Sequence, residues 1–247
     1  MNVLLCSSKF INGDIEYNAN KMIELLKKKS ENRIDFLFFG ESFLNGFEAL
    51  TWDYYKDLKM KEKTDSYLKV LSEKCIQYNR GLGFGYFEYD NGKIYSSYII
   101  YDNNGNTLIN YRRITSGWRY PNVDTSVYTE GQSIASFLYN NKKIGIGLCG
   151  DIWHEPLYGE LLNQNFDVFI WPVYVNYSID KWNEDERTDY MLRSRSLGQH
   201  VLYINSVSDE PSFGGTYFQA NAVLIEETVP SSEEYCLLCR LDDFYDV

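Results

Sequence analysis

The stretch that most restricts this chain is Lys143-Ile144-Gly145-Ile146-Gly147-Leu148-Cys149-Gly150-Asp151-Ile152-Trp153-His154-Glu155-Pro156. Ile144 to Leu148 combine small and branched apolar residues, the signature of a buried strand with neighbours close on both sides. The strand is expected to break at Cys149 and Gly150 and the chain to enter a helix around Leu157. A thiol at the tip of a buried strand is held rigidly. A glycine after it can turn the backbone sharply and leave its N–H facing an incoming group, the arrangement that presents a nucleophile beside an oxyanion donor. A buried cysteine at a strand end would read the same way, so other residues must decide.

The rest of the chain is consistent with an α/β domain. Asn2 to Ser7 and Asp35 to Phe39 read as strands, and Asn18 to Lys29 and Lys61 to Tyr78 as helices. Gly81 to Tyr89 and Lys93 to Tyr101 flank a turn at Asp90-Asn91-Gly92, and Asp102-Asn103-Asn104-Gly105 leads into Thr107 to Tyr111. A meander after βα units predicts mixed sheets. Further on, helices are expected at Leu157 to Gln164 and Asp185 to Leu197. Strands are expected at Asp167 to Trp171, Val201 to Val207, Phe218 to Glu226 and Glu234 to Leu241. With no repeat and no Pro/Gly linker, residues 1–247 read as one domain.

Composition removes several classes of function. A formal net charge of −11 with no offsetting basic run argues against a nucleic-acid or anionic-membrane surface. The Lys27-Lys28-Lys29 cluster sits at a helix end, where the dipole favours cations. Five cysteines, odd in number and scattered, do not form a disulfide framework. Without a basic n-region or cleavage pattern near Met1, the expected location is the cytoplasm. Cys236 and Cys239 lie three apart within a strand and therefore point to opposite faces, so they cannot share a metal. No metal or cofactor is expected.

Three strand ends carry reactive groups: Glu41 after Asp35 to Phe39, Arg113 after Thr107 to Tyr111, and Cys149. Open α/β sheets bind ligands at such carboxyl ends. A buried carboxylate can take a thiol's proton, and a fixed cation favours the oxyanion that follows. His154 could instead pair with Cys149, but it lies past the turn, nearer the rim. His200, at the start of a strand, reads as a satisfied core or interface residue. Trp118, Trp153, Trp171 and Tyr174 fall beside the same strand ends. Trp153 and Tyr174 are the better candidates for pocket lining.

The local contexts also carry a resemblance. Gly40-Glu41-Ser42-Phe43-Leu44-Asn45-Gly46-Phe47 resembles the P-E-x-F-L-x-G-Y element of the carbon–nitrogen hydrolase (nitrilase) superfamily, and Tyr111-Arg112-Arg113-Ile114 resembles its Y-R-K-x element. Cys149-Gly150-Asp151-Ile152 resembles C-x-D-I, and Arg193 to Gln199 resembles the arginine-rich helix that precedes a late strand. Val201 to Val207 with Gly214-Gly215-Thr216 is similar to the glutamine-amidase branch linked to NAD synthetases.

The resemblance implies an α/β fold, a four-layer α-β-β-α sandwich with mixed sheets, paired as a homodimer. It also implies Glu41 as general base, Cys149 as nucleophile, Gly150 N–H as oxyanion donor and a small amide or nitrile as substrate. Arg113 stands where the family has lysine. Asp124, seven positions before Gly131, stands where it has a second glutamate, and Glu155-Pro156 reverses its Pro-Glu order. Arg113 and Asp124 read as a compensating pair, the shorter acid making room for the longer cation. An amidase is the expected activity. A binding protein on the same scaffold, or an acyl transfer to an amine, are the alternatives.

Overall fold

The computed structural model describes residues 1–30, 33–209 and 212–241. Two six-stranded mixed sheets stack face to face. The first has the order β12-β1-β2-β3-β4-β5, with β1 Asn2–Ser7, β2 Phe36–Phe38, β3 Gly81–Asp90, β4 Lys93–Tyr101, β5 Thr107–Arg112 and β12 Tyr235–Arg240. The second has the order β11-β10-β9-β8-β7-β6, with β6 Ser136–Tyr139, β7 Lys142–Ile146, β8 Phe166–Val173, β9 Gly198–Asn205, β10 Thr216–Ala220 and β11 Val223–Thr228. Strands β1, β2 and β3 run parallel, as do β7, β8 and β9, and antiparallel strands extend each sheet on both sides.

The period-2 pattern decides which side chains meet. Val3 and Leu5 of β1 point between the sheets with Ile144, Ile146, Val168, Ile170, Leu202 and Ile204. Cys6 points the other way, onto Ala19, Met22 and Leu26 of the Ile15–Lys27 helix and Leu71 and Cys75 of the Lys61–Tyr78 helix. On the far side of the second sheet, Leu157 and Leu161 of the Glu155–Leu162 helix and Tyr190 of the Arg187–Ser194 helix cover Phe169, Trp171, Val201 and Tyr203. The result is the expected α-β-β-α order. Truncating an inter-sheet leucine such as Leu202 to alanine would cost about 2–5 kcal/mol.

Two readings are corrected. The Phe218 to Glu226 segment is not one strand but the hairpin β10–β11, turning at Asn221 and Ala222, both left-handed with φ of 49° and 67°. The Asp185 to Leu197 helix is shorter, running Arg187–Ser194 after a π-helical turn at Trp182–Glu186. Strand β6 was also unmarked. It is an edge strand that alternates exposed with half-buried residues, paired to β7 across the left-handed Asn140 and Asn141.

The carboxyl ends of the two sheets are tied directly. Glu41 N–H donates to Val173 O at 3.3 Å, Phe10 N–H to Val207 O at 3.1 Å, and Val207 N–H to Ser8 O at 3.0 Å. The Glu41–Ser42 backbone passes so close over β3 that a Cβ on Gly85 would stand 2.2 Å from Ser42 N and 2.8 Å from Glu41 Cα. Gly85→Ala is therefore expected to displace Glu41 and to destabilise the fold by about 1–3 kcal/mol, read as a lowered urea midpoint together with slowed Cys149 alkylation.

Candidate active site

Glu41, Arg113 and Cys149 converge. Glu41 lies three residues beyond β2, Arg113 directly follows β5, and Cys149 lies three beyond β7, so each sheet supplies part of the cluster. Arg113 Nη1 donates to Glu41 Oε1 at 2.8 Å, with the arginine side chain 4% and the glutamate side chain 0% exposed. Ser96 Oγ donates to the same oxygen at 3.3 Å, while Glu41 Oε2 accepts no hydrogen bond among the described residues. Burial pushes the Glu41 carboxyl above its ordinary range, against the pull of Arg113, and the neighbouring Cys149 thiol also acts on it. Burial and the Glu41 charge together push the Cys149 thiol up to about 12, although Arg113 opposes them. Burial disfavours the Arg113 cation, but Glu41, Cys149 and Asp151 outweigh it and hold the guanidinium above its usual value.

The turn at Cys149 differs from the expected one in where it is strained. The left-handed residue is Cys149 itself, with φ = 42°, at the start of a 3₁₀ turn over Cys149–Trp153. Gly150 is needed for another reason. A Cβ there would stand 2.6 Å from Arg113 Nη2, and one on Gly117 would stand 2.9 Å from it. Two glycines thus make room for the guanidinium. Asp124 does not: it is exposed, accepts from Ser126 N–H at 2.9 Å and Ser126 Oγ at 2.6 Å, and forms no ion pair with Arg113 among the described residues. The compensation expected between Arg113 and Asp124 is replaced by a glycine cradle.

Asp151, to which the residue pattern assigns no role, holds the site together. Its buried Oδ1 accepts from Ile114 N–H, Thr115 N–H and Thr115 Oγ1 at 3.1, 2.9 and 2.8 Å. Its Oδ2 accepts from Leu148 N–H at 3.0 Å and Tyr111 Oη at 2.7 Å. The Cys149 turn is thereby clamped to the chain on both sides of Arg113, and Thr115 Oγ1 accepts in turn from Arg113 Nε at 3.2 Å. Carboxylate–residue spacing in the sequence could not reveal this, because three of the five donors are backbone N–H groups. Trp171 Nε1 fixes the other side, donating to Cys149 O at 2.9 Å.

The aromatic candidates divide. Tyr174 reaches the site through its carbonyl, which accepts from Cys149 Sγ at 3.8 Å, while its ring stacks on Phe47 at 4.4 Å. Trp153 is 40% exposed and sits toward the Arg187–Ser194 helix, with Tyr190 at 5.1 Å and the Arg193 guanidinium at 5.6 Å. Trp118 is packed against Trp52 and Phe87. His154 is exposed, in a cleft with Ile114, Thr115, Ser116 and Glu130, and no hydrogen bond joins it to Cys149 among the described residues. His200 is buried, its Nδ1 3.3 Å from Asp167 O and its ring stacked on Phe218. Cys236 is exposed and Cys239 buried, as opposite faces require. No group of acids, histidines and cysteines among the described residues could hold a metal, and no helix among them is long and apolar enough to cross a membrane.

A carboxylate, a cation and a thiol thus meet at the carboxyl ends of two stacked mixed sheets. The chain belongs to the carbon–nitrogen hydrolase family, whose pattern it matches over residues 6–212. It is 28% identical over 220 residues to the glutamine-dependent NAD(+) synthetase of Thermotoga maritima, covering 82% of this chain and 35% of that protein. It is 25% identical over 177 residues to the aliphatic nitrilase of Rhodococcus rhodochrous, covering 64% of this chain and 44% of the relative. The chain thus spans less than half the length of these curated relatives. Its fold superimposes on the NitN amidase of Nesterenkonia sp. AN1 with a TM-score of 0.81 at 13% identity, covering 98% of this chain and 93% of that one.

Arg113→Met would leave the Glu41 carboxylate buried without its partner. The expected cost is about 3–5 kcal/mol in urea denaturation at neutral pH, shrinking as the pH falls and Glu41 becomes neutral.

Proposed function

We propose that this carbon–nitrogen hydrolase is an amidase that acts through a thioester on Cys149. The observation that carries the reading is the divided carboxylate of Glu41. Oε1 is occupied by Arg113 and Ser96, Oε2 has no hydrogen-bond donor from the described residues, and the Cys149 thiol is a neighbour of the carboxylate. A thiol pushed up to about 12 is protonated at neutral pH, so it needs a base at the moment of attack and does not rest as a thiolate. Glu41 supplies that base, and burial raises its proton affinity against the pull of Arg113.

In this mechanism Glu41 takes the Cys149 proton as sulfur bonds to the amide carbonyl carbon. The oxyanion of the tetrahedral intermediate is met by the Gly150 N–H and by Arg113, whose charge persists at all working pH values. Glu41 returns its proton to the departing nitrogen, the carbon–nitrogen bond breaks, and ammonia or an amine leaves. Water, deprotonated by Glu41, then attacks the thioester and restores the thiol. An amide is preferred to a nitrile because the 28% identical relative is named for its dependence on glutamine, itself an amide.

Cys149→Ala is expected to abolish ammonia release from small amides, and Glu41→Gln to lower kcat roughly 10²–10⁴-fold. Wild-type turnover should fall on the acid side as Glu41 takes up a proton, at a pH above the ordinary glutamate range because its folded-state affinity is raised. Iodoacetamide labelling of Cys149 should show the same acid inflection, and Glu41→Gln should remove it. Labelling of Cys149 with no such inflection in the wild type would favour a binding protein on this scaffold.

A further inference from the structure

Outside the active-site cluster, the register of the first sheet sets two cysteines opposite one another. Strand β12 runs antiparallel to β1 with Cys6 directly across from Cys236, between the pairs Leu5–Leu237 and Ser7–Tyr235. Directly opposed residues of antiparallel strands have Cα atoms about 4.5–5.5 Å apart and side chains on one face. That separation lies inside the range a disulfide spans. Neither sulfur has an alternative partner on its strand, because Cys239 faces Val3 across the ladder and points into the inter-sheet core. Cys75 belongs to the Lys61–Tyr78 helix.

The two thiols are unlike each other. Cys6 is buried against the helical layer, whereas Cys236 sits on the edge strand and is exposed. The contact with the Cys6 thiol lowers the proton affinity of Cys236, and Lys28 adds to this against burial and Glu234. Burial, and then Cys236, push the Cys6 thiol well up. An accessible thiol of lowered proton affinity beside a sheltered second one is the usual layout of an attacking and a resolving cysteine.

We propose that Cys6 and Cys236 form a reversible modification site, converted by hydroperoxides into an intramolecular disulfide. The Cys236 thiolate attacks one peroxide oxygen. The O–O bond breaks, a sulfenic acid forms on Cys236, and the departing oxygen leaves as water or alcohol with the thiol's proton. Cys6 sulfur then attacks the Cys236 sulfur. The S–O bond breaks, the S–S bond forms, and the hydroxyl leaves as water with the Cys6 proton. The two thiols lose two electrons and the peroxide gains two. The bridge pins the edge strand β12 to β1 and closes a loop that contains almost the entire chain, so it is expected to raise thermal stability. A thiol reductant reverses it.

The test treats the full chain with hydrogen peroxide and maps its peptides without reduction. The wild type should yield a Cys6–Cys236 cross-linked peptide, lost on reduction, and its unfolding midpoint should rise by several degrees on oxidation. Cys236→Ser, an exposed replacement, should lose both the cross-link and the rise. Cys6→Ala should accumulate a dimedone-trapped sulfenic acid on Cys236. The wild type and Cys236→Ser decide the matter even if Cys6→Ala folds poorly. A wild type that oxidises Cys236 to sulfenic or sulfinic acid without bonding Cys6 would overturn the proposal. So would a cross-link from Cys236 to Cys75, to Cys239 or to a second chain.

Discussion

The buried pair between Arg113 and Glu41 is the contact around which the site is arranged. Taking two opposite charges out of water costs several kcal/mol per ion, and the cost is recovered only with close geometry and further hydrogen bonds. Those bonds account for much of the local sequence. Ser96 completes one oxygen of Glu41, Thr115 receives the Arg113 Nε, and Asp151 ties the residues after Arg113 to the Cys149 turn. Gly150 and Gly117 are small because the guanidinium occupies the space their side chains would take. An arginine in place of the family's lysine is therefore not an isolated exchange. Its planar fork reaches past the carboxylate and needs open backbone on its far side, which a point-like ammonium would not.

Strain and charge work together at Cys149. A non-glycine residue in left-handed backbone is held there only by surrounding contacts, here the Trp171 indole on its carbonyl and the Asp151 carboxylate on the preceding N–H. The same contacts leave the thiol between the Tyr174 carbonyl and Glu41. Cys149 is thus held in place by its neighbours rather than by its own conformational preference.

Much of this was legible in the amino-acid sequence, and the exceptions have physical causes. The helix Lys61–Tyr78 and strand Lys93–Tyr101 match their expected bounds because one ends at a left-handed Asn79 and the other is bracketed by Asn-Gly turns. The three reactive residues could be read because each follows an apolar strand. The hairpin between β10 and β11 could not, since Ala222 takes a left-handed turn position that carries no compositional mark. Strand β6 is short and alternates half-buried with exposed residues, which gives it little apolar signal. Asp124 was placed by spacing to a glycine alone, and spacing does not report which way a loop faces. Asp151 carries no such mark because four of its five donors come from the distant segment around Arg113, contacts that only the tertiary fold creates.

The ion pair joins residues 72 positions apart in the chain, and the thiol comes from the opposite sheet. A nascent or partly unfolded molecule with only one sheet formed therefore has either a thiol without a base or a base without a thiol. On the proposed mechanism its cysteine is then an ordinary one, and no carbon–nitrogen bond is at risk from it. Reactivity arrives in the same step that docks the two sheets, so in this architecture chemical competence is a readout of completed folding.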